Sequence, residues 1–151
     1  MDGAESKRYY SVSEANGRVA ELAQLFGLVL QMRAQLRTLY QQLDAEGHAP
    51  ELDLSVDGHI EIPEGLPADV TRNLHLFQGM AETVHDHIEQ INETGCVIKD
   101  IDGGLVDWLA IDRGREIWLC WKYGETEVGY WHEVNSGFAG RRPVSELKEQ
   151  Q

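Results

Sequence analysis

Basic residues are scarce in this chain: 13 Lys and Arg stand against 26 Asp and Glu, a formal charge of -13 over 151 residues. A surface of that sign repels a phosphate backbone, which excludes nucleic acid as an expected partner. Long apolar runs are also missing. The longest lie near Leu25 to Leu30, far short of the ~20 residues that cross a bilayer, and Met1 to Tyr10 is polar with no hydrophobic signal core. No membrane association is expected, and a soluble, cytoplasmic protein is. Only two cysteines occur, Cys96 and Cys120, without the dense spacing of a disulfide framework, so free thiols of a reducing compartment are the simplest reading, with a single disulfide as the alternative. Motifs of known mechanics are absent as well. No glycine triplet opens a helix with dinucleotide or P-loop spacing, and there is neither a Cys-x-x-Cys pair nor a His-Glu-x-x-His helix.

What is present suits one domain spanning residues 1–151, long enough for a real core. Ser11 and Glu14 fit a capping box with Tyr10 and Ala15 as its staple, which starts a helix at about Val12. From there Leu22, Phe26, Val29, Leu36, Tyr40 and Leu43 step by alternating fours and threes, and Gly47 suits the C-terminal cap. Leu25, Leu28, Met32 and Leu39 widen the stripe, so this helix has apolar surface for a second contact. Gly17 and Gly27 weaken it locally. A second helix opens near Pro67 and carries Val70, Leu74, Phe77, Ala81, Val84, Ile88 and Ile91 before Gly95. The two favour a long antiparallel helical hairpin over residues 11–95.

Between the helices, the connection 44–69 holds eight acids and no Lys or Arg, so it faces solvent. Leu52, Leu54 and Val56 alternate before Asp57-Gly58-His59, and Ile60 and Ile62 alternate after it, which reads as a short β-hairpin. The EF-hand spacing of acids is missing. After Gly95 the apolar period falls to two. Cys96 to Asp100, Leu105 to Ile111, Glu116 to Tyr123 and Glu127 to Val134 read as antiparallel strands split by Asp102-Gly103-Gly104, Arg113-Gly114 and Gly124-Glu125. The fold class is therefore α+β, a helical hairpin with a small C-terminal antiparallel sheet over residues 96–143.

This last third holds all four tryptophans, which at strand spacing cover a sheet or line a pocket. A two-residue turn at Arg113-Gly114 places Asp107 opposite Cys120 and Leu109 opposite Trp118. The next turn leaves two registers open. A three-residue connection brings Tyr130 and His132 to the face of Asp107 and Cys120; a two-residue turn brings Gly129, Trp131 and Glu133 there instead. The first gives Asp107, Cys120 and His132 as ligands for zinc or another divalent metal, and the second gives two carboxylates for a hard metal or acid-base work. Against either stands a packed sheet in which Asp107 and His132 bond each other or the backbone and Cys120 is a small hydrophobe. Arg141 and Arg142 follow in the segment Gly137 to Pro143, either as an anion-binding pair or as a loop that forms salt bridges with the acidic surface. Glu82-x-x-His85 matches half of a di-iron motif, but the seam positions turn Glu82 and Glu89 outward.

The phrases Tyr10-Ser11-Val12-Ser13-Glu14-Ala15-Asn16, Lys99 through Asp107, Leu119-Cys120-Trp121, Gly124-Glu125, Trp131-His132-Glu133 and Gly137-Phe138-Ala139-Gly140-Arg141 resemble the prokaryotic domain-of-unknown-function family 2203. The likeness covers most of the chain. It implies a small bacterial protein and brings no activity with it. Two functions are then expected. The first is a non-catalytic scaffold or interaction protein that forms a homodimer through its helices. The alternative is a metal-dependent, hydrolase-like enzyme with Asp107, Cys120, His132 and Glu133 as its site and Arg141 as an anion clamp.

Overall fold

The capping box at Ser11 forms as the sequence requires. Ser11 Oγ accepts from the Glu14 N–H at 3.0 Å, and Glu14 accepts in return from the Ser11 N–H at 2.9 Å, which satisfies two otherwise orphaned donors. The helix that begins there, α1, ends after five residues (Val12–Asn16), and α2 (Val19–Ala45) follows. The break falls at Gly17, where the sequence supplies a weak helix former. The third helix, α3, spans Ala68–Glu93. A computed structural model of the chain describes residues 7–51 and 59–148. Its contacts group into two compact units, Met1–Phe26 with Ile91–Gln151, and Gly27–Gln90.

In the 27–90 unit, α2 buries Val29, Leu36, Leu39 and Leu43, and α3 buries Val70, Leu74, Phe77, Ala81 and Val84. The stripe on α3 is the one its sequence period marks, except that Ile88 is only half-buried. On α2 the inward position moves from Tyr40, which is exposed, to Leu39, because a 3.6-residue helix drifts off a strict heptad. Tyr40 still meets Phe77, with ring centroids 6.3 Å apart. Part of the expected β-hairpin, Leu52 to Gly58, lies outside the described residues. Ile60 to Ile62 are not a strand; instead Ile60 is buried and its N–H donates to Gln78 Oε1 on α3 at 2.6 Å.

The other unit holds an antiparallel five-stranded meander in the order β1 (Val97–Asp100), β2 (Leu105–Asp112), β3 (Arg115–Lys122), β4 (Tyr130–Glu133) and β5 (Arg142–Pro143). The short β5, with a proline at the sheet edge, carries too little pattern to be read from sequence. β1 pairs only with the start of β2; beyond it the Tyr10 N–H donates to the Leu109 carbonyl at 2.8 Å, which covers the exposed edge. One face of the sheet carries Val106, Trp108, Ala110, Ile117, Leu119, Trp121 and Trp131, all buried together with Ala15, Leu22 and Phe26. Phe26 lies against Trp121 at 6.2 Å between ring centroids. Among the described residues, no helix is long and apolar enough to cross a membrane.

Gly95 ends the turn after α3 at φ 92°, and a Cβ there would overlap the Tyr10 ring and hydroxyl. Gly79, inside α3, has open space where a Cβ would stand. Gly95→Ala is therefore expected to lose at least about 2 kcal/mol of unfolding free energy. Gly79→Ala is expected to gain about 0.5–1 kcal/mol. Urea denaturation of both variants checks the opposite signs.

Candidate functional site

The turn between β2 and β3 sets the site. Arg113 and Gly114 both take positive φ, 55° and 78°, the backbone of a two-residue turn that matches strand twist. The register that follows pairs Asp107 with Cys120 and Leu109 with Trp118, as the sequence predicts. On the far side, Cys120 pairs with Tyr130 and Trp118 with His132. The first of the two open registers is thus the one adopted, although its connection is longer than three residues.

Asp107, Cys120 and His132 consequently share the face opposite the aromatic core. All three are buried, with relative exposures of 1%, 0% and 3%, and one ligand atom from each lies within 4.8 Å of the others. His132 Nε2 stands 2.8 Å from Asp107 Oδ2, and His132 Nδ1 stands 2.8 Å from the Glu133 carbonyl oxygen. A carbonyl only accepts, so Nδ1 carries a hydrogen and donates. With Nδ1 so committed, Nε2 is the ring atom that faces the Asp107 carboxylate. Asp107 Oδ1 is buried and has no hydrogen-bond partner among the described residues, a costly condition for a carboxylate oxygen.

The side chain of Glu133 does not join this set. It points from the opposite face and pairs with Arg115 at 2.7 Å, because neighbouring residues on a strand alternate faces. Its contribution is the main-chain carbonyl that fixes the His132 tautomer, which no side-chain pattern reveals. Arg141 and Arg142 also separate. Arg142 pairs with Glu146 at 2.7 Å and lies over Trp131, whereas Arg141 reaches the site, its Nη1 standing 4.0 Å from Cys120 Sγ. Arg141 also forms a two-point ion pair with Glu125 at 3.1 and 2.9 Å. In the sequence Glu125 shows only as a turn residue. Glu82 and Glu89 are not buried, as the helix seam requires.

Burial pushes the Cys120 thiol up from its ordinary 9.0 to about 12, the negative charge of Asp107 and a hydrogen bond to that carboxylate add to the rise, and Arg141 opposes it. Burial likewise raises Cys96, whose Sγ contacts the Ile91 carbonyl and the Thr94 hydroxyl. Neither thiol is a thiolate nucleophile at neutral pH. Both are free.

Fold and site together define a small α+β protein with a buried carboxylate, thiol and imidazole on one face of an antiparallel meander. Residues 8–144 match the family described as uncharacterized conserved protein (DUF2203), and the chain belongs to that family. No curated protein and no solved structure matches it.

The raised thiol fixes a pH dependence. The native state holds the Cys120 proton more tightly than the unfolded chain, so this contribution to stability is whole below about pH 9 and falls as pH rises toward 12. Cys120→Ser is expected to flatten that part of the loss relative to the parent protein. Urea midpoints measured from pH 8 to 11 check it; equal slopes in both proteins refute the assignment.

Proposed function

We propose that the chain is a metal-binding protein and that Asp107, Cys120 and His132 hold a divalent ion of the zinc type, with a further coordination position left for water or a bound ligand. The observation that carries this reading is the cluster of a buried carboxylate, thiol and imidazole, one ligand atom of each within 4.8 Å of the others, in which Asp107 Oδ1 receives no N–H or O–H donor among the described residues. A packed sheet with no such role would satisfy that oxygen or replace the aspartate with an apolar residue. The donor set suits zinc, which accepts thiolate, imidazole and carboxylate. The His132 arrangement also matches what metal-ligating histidines need, since the Glu133 carbonyl holds the Nδ1 hydrogen and leaves Nε2 facing the other two ligands. Tetrahedral zinc separates such donors by about 3.4–3.6 Å. The His132–Asp107 contact of 2.8 Å would open and the longest separation, within 4.8 Å, would close, each by about 1.4 Å or less on side-chain rotation.

Three protein ligands and an open position are the pattern of catalytic zinc rather than closed structural zinc. The chemistry such a centre supplies is activation of water for hydrolysis, or polarisation of a bound oxygen. The charge on Arg141 beside Cys120 supports the thiolate form that a metal requires.

A second reading has an observation of its own. In the 27–90 unit, Leu28, Tyr40 and Leu76 are exposed at 40%, 41% and 54%, and Ala34, Leu39, Leu76 and Met80 line an apolar groove. This supports self-association of a helical hairpin in which α2 and α3 pair antiparallel. Sedimentation separates the readings: Leu76→Asp is expected to weaken a dimer and leave metal uptake unchanged, and a strict monomer at high concentration ends the second reading.

For the metal reading, chelator-stripped protein is expected to take up one zinc or cobalt ion per chain. Asp107→Ala and His132→Gln should each weaken binding at least tenfold, and Cys120→Ser should abolish the thiolate charge-transfer band of the cobalt form. Zinc at a hundredfold excess over its dissociation constant should stabilise the fold by about 2.7 kcal/mol. Protein that carries no metal through chelator-free purification and takes none up on addition refutes the proposal.

A further inference from the structure

We propose that Arg141 and the main chain of Lys122 form a carboxylate cradle beside the Asp107, Cys120 and His132 set, and that Glu125 fills it in place of a small carboxylate ligand carried on an apolar body. The inference deepens the metal reading and rests on it for the purpose of the bound ligand, but the cradle itself is testable without metal.

The cradle is built as a carboxylate receptor. Arg141 Nη1 and Nη2 donate to the two oxygens of Glu125 at 3.1 and 2.9 Å, and the Lys122 N–H donates to Oε1 at 2.8 Å. This is the planar two-point match that distinguishes arginine from lysine at carboxylates. The guanidinium is held against two rings, 4.0 Å from the Tyr130 centroid and 4.2 Å from that of Phe138, so its position is fixed before any ligand arrives. Its side chain is only 13% exposed, against 53% for Arg115 and 55% for Arg142 in their ion pairs. A surface latch needs no such desolvation.

The occupant is placed to leave. Glu125 lies between β3 and β4, outside any strand. Its backbone is anchored separately, since its carbonyl accepts from Trp121 Nε1 at 3.0 Å and its N–H donates to the Lys122 carbonyl at 2.9 Å. Rotation of the side chain alone therefore empties the cradle. An incoming carboxylate replaces the departing one charge for charge, so the partly buried guanidinium never stands unpaired. Tyr130 and Phe138, exposed at 38% and 43%, offer apolar surface to the body of that ligand. With Arg141 Nη1 4.0 Å from Cys120 Sγ, the ligand lies next to the three candidate metal ligands.

Glu125 acts as an intramolecular competitor, at an effective concentration in the millimolar range or above. Removing its charge is expected to tighten binding of an external carboxylate. The test uses the full chain, stripped of metal, titrated with benzoate and with acetate and followed by ligand-observed NMR. Glu125→Gln is expected to bind benzoate at least tenfold more tightly than the parent protein, with acetate weaker than benzoate. Adding Arg141→Gln should remove the gain. Equal benzoate affinity in the parent protein and Glu125→Gln, or a gain that survives Arg141→Gln, overturns the proposal. Should Glu125→Gln fail to fold, benzoate should raise the melting temperature of the parent protein and not that of Arg141→Lys, and no rise in the parent protein overturns it equally. Zinc uptake measured in parallel keeps the two readings apart: benzoate binding without zinc uptake fails the metal reading alone, and the converse fails the cradle alone.

Discussion

The two-residue turn at Arg113 and Gly114 is the constraint on which the sheet and its site depend. Both residues must take positive φ, 55° and 78°, and a non-glycine residue accepts that only where the surrounding structure demands it. The turn leaves no slack in the pairing of β2 with β3, and a slip of one residue would exchange every side chain between faces. With the register held, Val106, Trp108, Ala110, Ile117, Leu119 and Trp121 all fall on one side. Asp107, Cys120 and Trp118 fall on the other.

The two faces then solve different problems. The aromatic face removes its large side chains from water, which is the main favourable term in folding. The opposite face buries polar groups and satisfies them unevenly. His132 gains two short contacts, through Oδ2 of Asp107 and the Glu133 carbonyl, while Oδ1 of Asp107 gains none. Such a carboxylate oxygen works against stability. Arg141 extends the same logic outward, since its positive charge lies beside Cys120 on one side and is neutralised by Glu125 on the other.

Much of the helical architecture is legible along the chain because its causes are local. The capping box at Ser11, the apolar stripe of α3 and the end of α3 before Gly95 each follow from spacing within a few residues. The break between α1 and α2 is legible only as a weakness at Gly17. The shift from Tyr40 to Leu39 is not legible, since it depends on how far the helix drifts by the time it meets its neighbour. The alternating period marks the C-terminal strands up to β4, and the turn at Arg113-Gly114 is strong enough to place Asp107 opposite Cys120.

The sequence by itself therefore determined the class of fold, the family and the pairing of two residues of the candidate site, through hydrophobic period, cap chemistry and one tight turn. The tertiary structure decided the third. The segment between β3 and β4 has no turn signal of comparable strength, so only the pairing of Cys120 with Tyr130 brought His132 inward and sent the Glu133 side chain to Arg115. It also decided that Glu125, sixteen residues from Arg141 in sequence, closes over it. Local propensity cannot specify such a contact, because its geometry is set by loop closure and by the packing of Tyr130 and Phe138 around a charge.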